Sequence, residues 1–130
     1  MLTVQSGHVG STAVVPADYD GANCHALILT RLKRDKLLPS FVAYYLNSKA
    51  GMLRLSQYFV GSTIIHLNTS DLKVFEIPIP PLVEQEKIAD ILTSLDDQIE
   101  VVESKLVQLE SLKKSLMGDL LTGRVRVSVD

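Results

Sequence analysis

His8, Cys24, His25 and His66 are the side chains of this 130-residue chain best suited to bind a transition metal or to move protons near neutral pH. Only Cys24 and His25 are neighbours, and no carboxylate or second cysteine stands at a ligand spacing from them. They read as scattered structural and surface residues, and no metal site is expected. Asp96, Asp97, Glu100 and Glu103 form the densest group of carboxylates, which could do acid-base work if folded into a cleft. Their spacing instead places them at e, f, b and e of a helical heptad, the solvated side of a helix. The stretch "SGHVGST" (6–12) has the glycines of a phosphate loop but not its lysine, and it is too short for that motif, so it reads as a turn. G-x-S-x-G, H-E-x-x-H and the dinucleotide glycine pattern are all absent. The expectation is no catalytic residue and no cofactor bound by this chain.

The chain has one domain's worth of residues, 46% of them apolar and 22% charged, an ordinary balance for a soluble globular protein. No apolar run approaches the ~18 residues of a membrane span, and "MLTVQSGHVG" lacks a leader's basic start and apolar stretch. A cytoplasmic location and no membrane partner are therefore expected. The net charge of −2 is unevenly placed: 1–82 hold seven Lys/Arg against five Asp/Glu, and 83–130 hold six against ten. Only the front of the chain could favour phosphate.

"LTVQSGHVGSTAVVP" predicts two short strands around a glycine turn, and "HALILTRL" a third. "PSFVAYYLNSKAGMLRLSQYFVG" predicts two helical pieces begun by Pro39 and Ser40, with a break near Gly51. "GSTIIHL" and "FEIPIP" predict short strands, separated by "NTSDLK" as a turn in which Asn68, Thr69, Ser70 and Asp71 cap nearby backbone donors. Pro78, Pro80 and Pro81 mark a boundary, with Pro81 suited to a helix's first turn. The expected fold is α+β: a small mixed domain over 1–82, one long helix over 83–122 and a short tail over 123–130.

That helix repeats every seven residues. With Ile88, Leu95, Val102, Leu109 and Leu116 at d, the a positions are Leu92, Ile99, Leu106, Lys113 and Leu120. Ten positions with one polar exception make a coiled-coil seam. At 1.5 Å per residue, roughly 38 residues span about 57 Å, more than an 80-residue domain could cover. The domain accounts for the first two turns, and the rest calls for another helix. A parallel pair would set Lys113 against its twin at an a position, so the antiparallel arrangement is expected.

"GSTIIHLNTSDLKVFEIPIPPLVEQEKIADILTSLDDQIE" resembles the specificity subunit of type I restriction-modification systems. There a target recognition domain closes with G-S-T, Asn and Asp-Leu, followed by I-P-x-P-P-L and E-Q-x-x-I-A, and runs into a long helix. "LKKSLMGDLLTGRVRV", "QSGHVGSTAVVP" and "GANCHAL" are also similar to that family, so the resemblance spans essentially the whole chain. It implies a non-catalytic part that reads DNA. Such subunits carry two recognition domains, each reading half of a bipartite site, held apart by two antiparallel helices. Modification subunits, which bind S-adenosylmethionine, dock beside them, and restriction subunits join for cleavage. This chain has no N/D-P-P-Y/F methyl-transfer motif, and it has one recognition domain and one helix instead of two. It begins where the family has a Gly-Asp-leading strand, with much of the domain before it. A homodimer would restore the missing helix. The rival is a coiled-coil adaptor that assembles or inhibits the system's subunits without touching DNA.

For DNA contact the candidates are Arg31, Lys33, Arg34 and Lys36, which follow an apolar strand and could meet phosphate or form an ordinary solvated charge run. Gln5, Ser6 and His8 around Gly7, and Ser62, Thr63 and His66 after Gly61, lie in loops that could meet base edges or phosphates, or simply build turns.

Overall fold

The computed structural model describes residues 1–19, 21 and 24–128. Three antiparallel strands, β1 (Leu2–Val4), β2 (Thr12–Ala13) and β3 (Leu27–Leu29), form a sheet in the order β2-β1-β3. Leu2 pairs with Ala13 on one side and Leu29 on the other, so β1 is the central strand. Alternation along the strands sends Thr3, Thr12 and Ile28 inward, and all three are buried. The hydroxyls of Thr3 and Thr12 lie 3.0 Å apart, and that of Thr12 donates to the Gly10 carbonyl, so these inward polar groups are satisfied locally.

Helix α1 (Pro39–Asn47) begins with proline at its first position, where the missing N–H costs nothing. It buries Phe41, Val42, Ala43 and Leu46. Its last residue, Asn47, ties it to the sheet: Oδ1 accepts from the Thr12 amide at 2.8 Å and Nδ2 donates to the Thr12 carbonyl at 2.7 Å. Helix α2 (Lys49–Leu55) follows after a single residue. The break falls at Ser48 and not near Gly51, because the Ser48 hydroxyl both donates to the Tyr45 carbonyl and accepts from the Gly51 amide. Gly51 is inside α2 for a different reason: a Cβ there would stand 1.9 Å from the Tyr45 carbonyl oxygen.

"GSTIIHL" does not form a strand. Val60 and His66 exchange backbone hydrogen bonds at 2.9 and 2.8 Å, and the five residues between them make a tight loop that reverses at Gly61, whose φ is +107°. "FEIPIP" has no strand partner either. Its alternate prolines lack the N–H groups a ladder needs, while Phe75 and Ile77 pack on the core and Phe75 meets Tyr58 edge to face at 5.7 Å. "NTSDLK" is helical: α3 (Thr69–Val74) is capped by the backbone carbonyl of Asn68, which accepts from Asp71 and Leu72. The side chains cap each other instead of the backbone, with Asn68 Nδ2 donating to Asp71 Oδ2 at 3.0 Å.

The core joins Val9, Ile28, Phe41, Val42, Leu46, Leu55 and Leu67, and Ile88 packs against it. The last helix, α4 (Leu82–Leu121), is 40 residues long. The chain divides into two compact units, Met1–Ile91 and the part from Leu92 onward, so the first turns of α4 belong to the first unit. The fold is α+β, a small three-stranded sheet with helices and one long helix at its C-terminal side. No described helix is long and apolar enough to cross a membrane.

Candidate nucleic-acid interface

The loop that joins β1 to β2 carries Gln5, Ser6 and His8. Gly7 and Gly10 both take positive φ, and the Val4 carbonyl accepts from Gly10 at 2.9 Å, which closes the hairpin. The second loop, 61–66, lies directly beside it. Ser6 and His66 form an antiparallel bridge, and the Leu67 amide donates to the Gln5 carbonyl at 3.0 Å. The fold therefore brings two stretches about 60 residues apart in sequence to one end of β1. His8, Ser62, Thr63 and His66 are exposed there, and Gln5 and Ser6 are half-buried.

The basic residues are at the other end of the same strand. β3 runs antiparallel to β1, and the Thr30 amide donates to the Met1 carbonyl at 3.0 Å, so Arg31 emerges beside Met1. Lys33 to Leu37 then form a turn in which the Lys33 carbonyl accepts from Lys36 and Leu37. Arg31, Lys33, Arg34 and Lys36 are all exposed. Their field is felt locally: the Met1 α-amine sits below the ordinary α-amino range, first through burial and then through the positive charges of Arg31 and Arg34. From Met1 to Gln5 is about 13 Å at ~3.3 Å per strand residue. The candidates thus form two groups, a polar loop pair and a basic turn, and not one patch.

Among the described residues no group of three His, Cys or carboxylate side chains stands close enough to hold a metal ion. His8 and His66 belong to the loop pair, and Cys24 lies in the segment before β3.

Sequence reading missed a residue that ties the start of α4 to the basic turn. Gln85 is fully buried one turn into α4. Its Oε1 accepts from the Leu38 amide at 2.9 Å, and its Nε2 donates to the carbonyls of Lys36 at 2.9 Å and Pro80 at 2.8 Å. One amide thus fastens the helix to the end of the basic turn and to the proline boundary. The signal was present: Gln85, Ile88 and Ala89 follow the i, i+3, i+4 spacing of a buried helical face.

From Leu95 onward the a and d side chains of α4 are exposed, among them Leu95 at 49%, Leu106 at 55% and Leu120 at 41%. They form an apolar stripe along the helix at the a and d positions, interrupted at Lys113.

A family profile described as the type I restriction modification DNA specificity domain matches residues 1–111. The type I restriction enzyme MjaVIII specificity subunit of Methanocaldococcus jannaschii is 36% identical over 95 residues, 73% of this chain and 22% of that protein. The MjaIX specificity subunit of the same organism is 35% identical over 83 residues, 64% of this chain and 18% of that protein. The EcoKI specificity subunit of Escherichia coli K12 is 30% identical over 95 residues, 72% of this chain and 20% of that protein. The matched stretch spans about a fifth of the length of these relatives. No solved structure gives a significant match.

Proposed function

The chain belongs to the type I restriction-modification DNA specificity domain family, and we propose that it is a non-catalytic DNA-specificity component of such a system. The observation that carries the reading is the family match over 1–111, which takes in both the sheet-bearing unit and most of α4. DNA is met by the first unit. The polar loop pair of Gln5, Ser6, His8, Ser62, Thr63 and His66 offers donors and acceptors to base edges, and the basic turn of Arg31, Lys33, Arg34 and Lys36 meets phosphate. Their separation of about 13 Å along β1 is close to the ~12 Å width of the major groove, which lets one duplex engage both.

Methyl transfer and cleavage belong to partners: a modification subunit that binds S-adenosylmethionine, and a restriction subunit that joins through it. The seam, whose exposed part runs from Leu95 to Leu120, takes an antiparallel helix, in the simplest case that of a second copy. Burying its apolar side chains, at about 1.5–3 kcal/mol each before ordering costs, supports such a pair.

The test is binding of labelled duplexes by the purified chain as salt is raised. Phosphate contacts release counterions, so log K should fall linearly with log salt. Absence of binding to every duplex at low salt would overturn the DNA reading and leave an adaptor that works through protein contacts alone.

A further inference from the structure

Two large apolar side chains stand within the polar loop pair, and hydrogen bonding to base edges gives them nothing to do. Ile64 is 63% exposed and Ile65 47%, with Val60, also exposed, at the foot of the same loop. Neither isoleucine joins the core. Apolar residues scattered singly over a surface need no explanation, but two in succession in a short loop do, since turns are built mainly from Gly, Pro, Asn, Asp and Ser. The loop is firmly closed. Val60 and His66 exchange both backbone hydrogen bonds at its base, and the next residue, Leu67, is fully buried while its amide donates to the Gln5 carbonyl. The chain turns so tightly at Gly61 that a Cβ there would stand 2.1 Å from the Ile64 carbonyl oxygen. Ile64 and Ile65 are thus held on a built loop, and their β-branched side chains have little rotamer freedom to lose on contact.

The neighbouring residues name the ligand. Ser62 and Thr63 precede the pair and His66 follows it, all exposed. In the major groove a T·A pair presents the thymine C5 methyl together with the O4 acceptor and the N7 and N6 groups of adenine, whereas a G·C pair presents no methyl. Hydroxyl and imidazole groups flanking aliphatic ones match that mixture. We propose that Ile64 and Ile65 are specificity-determining residues that pack on thymine methyl groups, so that the duplex this chain prefers carries T·A pairs where the 61–66 loop sits. The inference rests on the reading of the loop pair as a base-reading surface and adds which base it selects.

The experiment uses the whole chain to select duplexes from a randomised pool. The selected duplex is then prepared with thymine or with uracil, which removes the C5 methyl and keeps every hydrogen-bonding group. T·A pairs should be enriched, and the thymine duplex should bind about fourfold more tightly for each methyl that is packed. Ile64→Ser/Ile65→Ser should bind both duplexes equally, at the level of the uracil duplex, with an unchanged salt slope. Ile64→Val/Ile65→Val, which keeps the branched side chains, should retain the preference. No enrichment of T·A pairs, or equal binding of the two duplexes by the unmodified chain, would overturn the proposal, and neither measurement depends on a variant that folds. A uracil penalty that persists in the serine variant would overturn it too, because the methyl is then read by another side chain or through the shape of the duplex. Failure of the unmodified chain to bind any duplex at low salt would overturn the DNA reading itself, and this inference with it.

Discussion

A single buried amide, that of Gln85, holds together the three segments that meet at the start of α4. The amide satisfies two carbonyls and one N–H at a part-buried junction. Gln85→Met keeps the length and most of the volume but leaves those groups without partners, and each such group costs roughly 1–3 kcal/mol. Because these groups are only part-buried, the variant should lose about 2–4 kcal/mol, less than three full penalties, read as a lower urea midpoint with an unchanged m-value. A loss below about 0.5 kcal/mol would show that water replaces the amide. The motif E-Q-x-x-I-A was legible in the sequence as a family feature, and its helical spacing pointed inward. What Gln85 touches was not legible, because Lys36 and Leu38 lie nearly 50 residues away and their backbone groups have no signature in residue type.

At the scale of elements, the junction of α1 and α2 sets helix propensity against steric fit. Alanine is the better helix former by about 1 kcal/mol, yet Gly51→Ala drives a Cβ into the Tyr45 carbonyl. Sterics should win, with a net destabilisation of roughly 1–3 kcal/mol in chemical denaturation. Ser48→Ala, which removes the hydroxyl serving both helices, should cost about 1 kcal/mol. If Gly51→Ala proves neutral or stabilising, the close approach of α2 to α1 is wrong. For α4 the checkable matter is orientation. In a Cys24→Ser background, Val102→Cys should cross-link through a short bismaleimide, because position 102 lies near the centre of an antiparallel pair. Leu92→Cys should not, since its twin is displaced by at least ~17 residues, or about 25 Å. Efficient linking at 92 would show parallel helices. Heptad periodicity made α4 readable along its length because helix geometry is local. "GSTIIHL" and "FEIPIP" misled because strands are stabilised by partners, and neither segment finds a ladder to join.

For the molecule as a whole, the two ends of β1 should contribute differently to DNA binding. Changing Arg31, Lys33 and Arg34 together to Ala should weaken every duplex alike and reduce the salt slope by roughly 0.9 for each phosphate that is no longer neutralised. Changing Gln5 and His66 to Ala should alter preference among duplexes and leave that slope nearly unchanged. A triple variant with the original slope would reduce the basic turn to a solvated surface. By itself the sequence determined the α+β class, the three strands, the proline boundary and the long heptad helix, together with the family to which its motifs belong. All of these rest on local periodicity, on backbone chemistry or on residue order. Only the tertiary structure decided that residues 5–8 and 61–66 share one end of a strand while the basic turn occupies the other, and that Gln85 and Asn47 are its clasps. These arrangements depend on strand pairing and on backbone groups distant in sequence, which residue types and spacings do not encode locally.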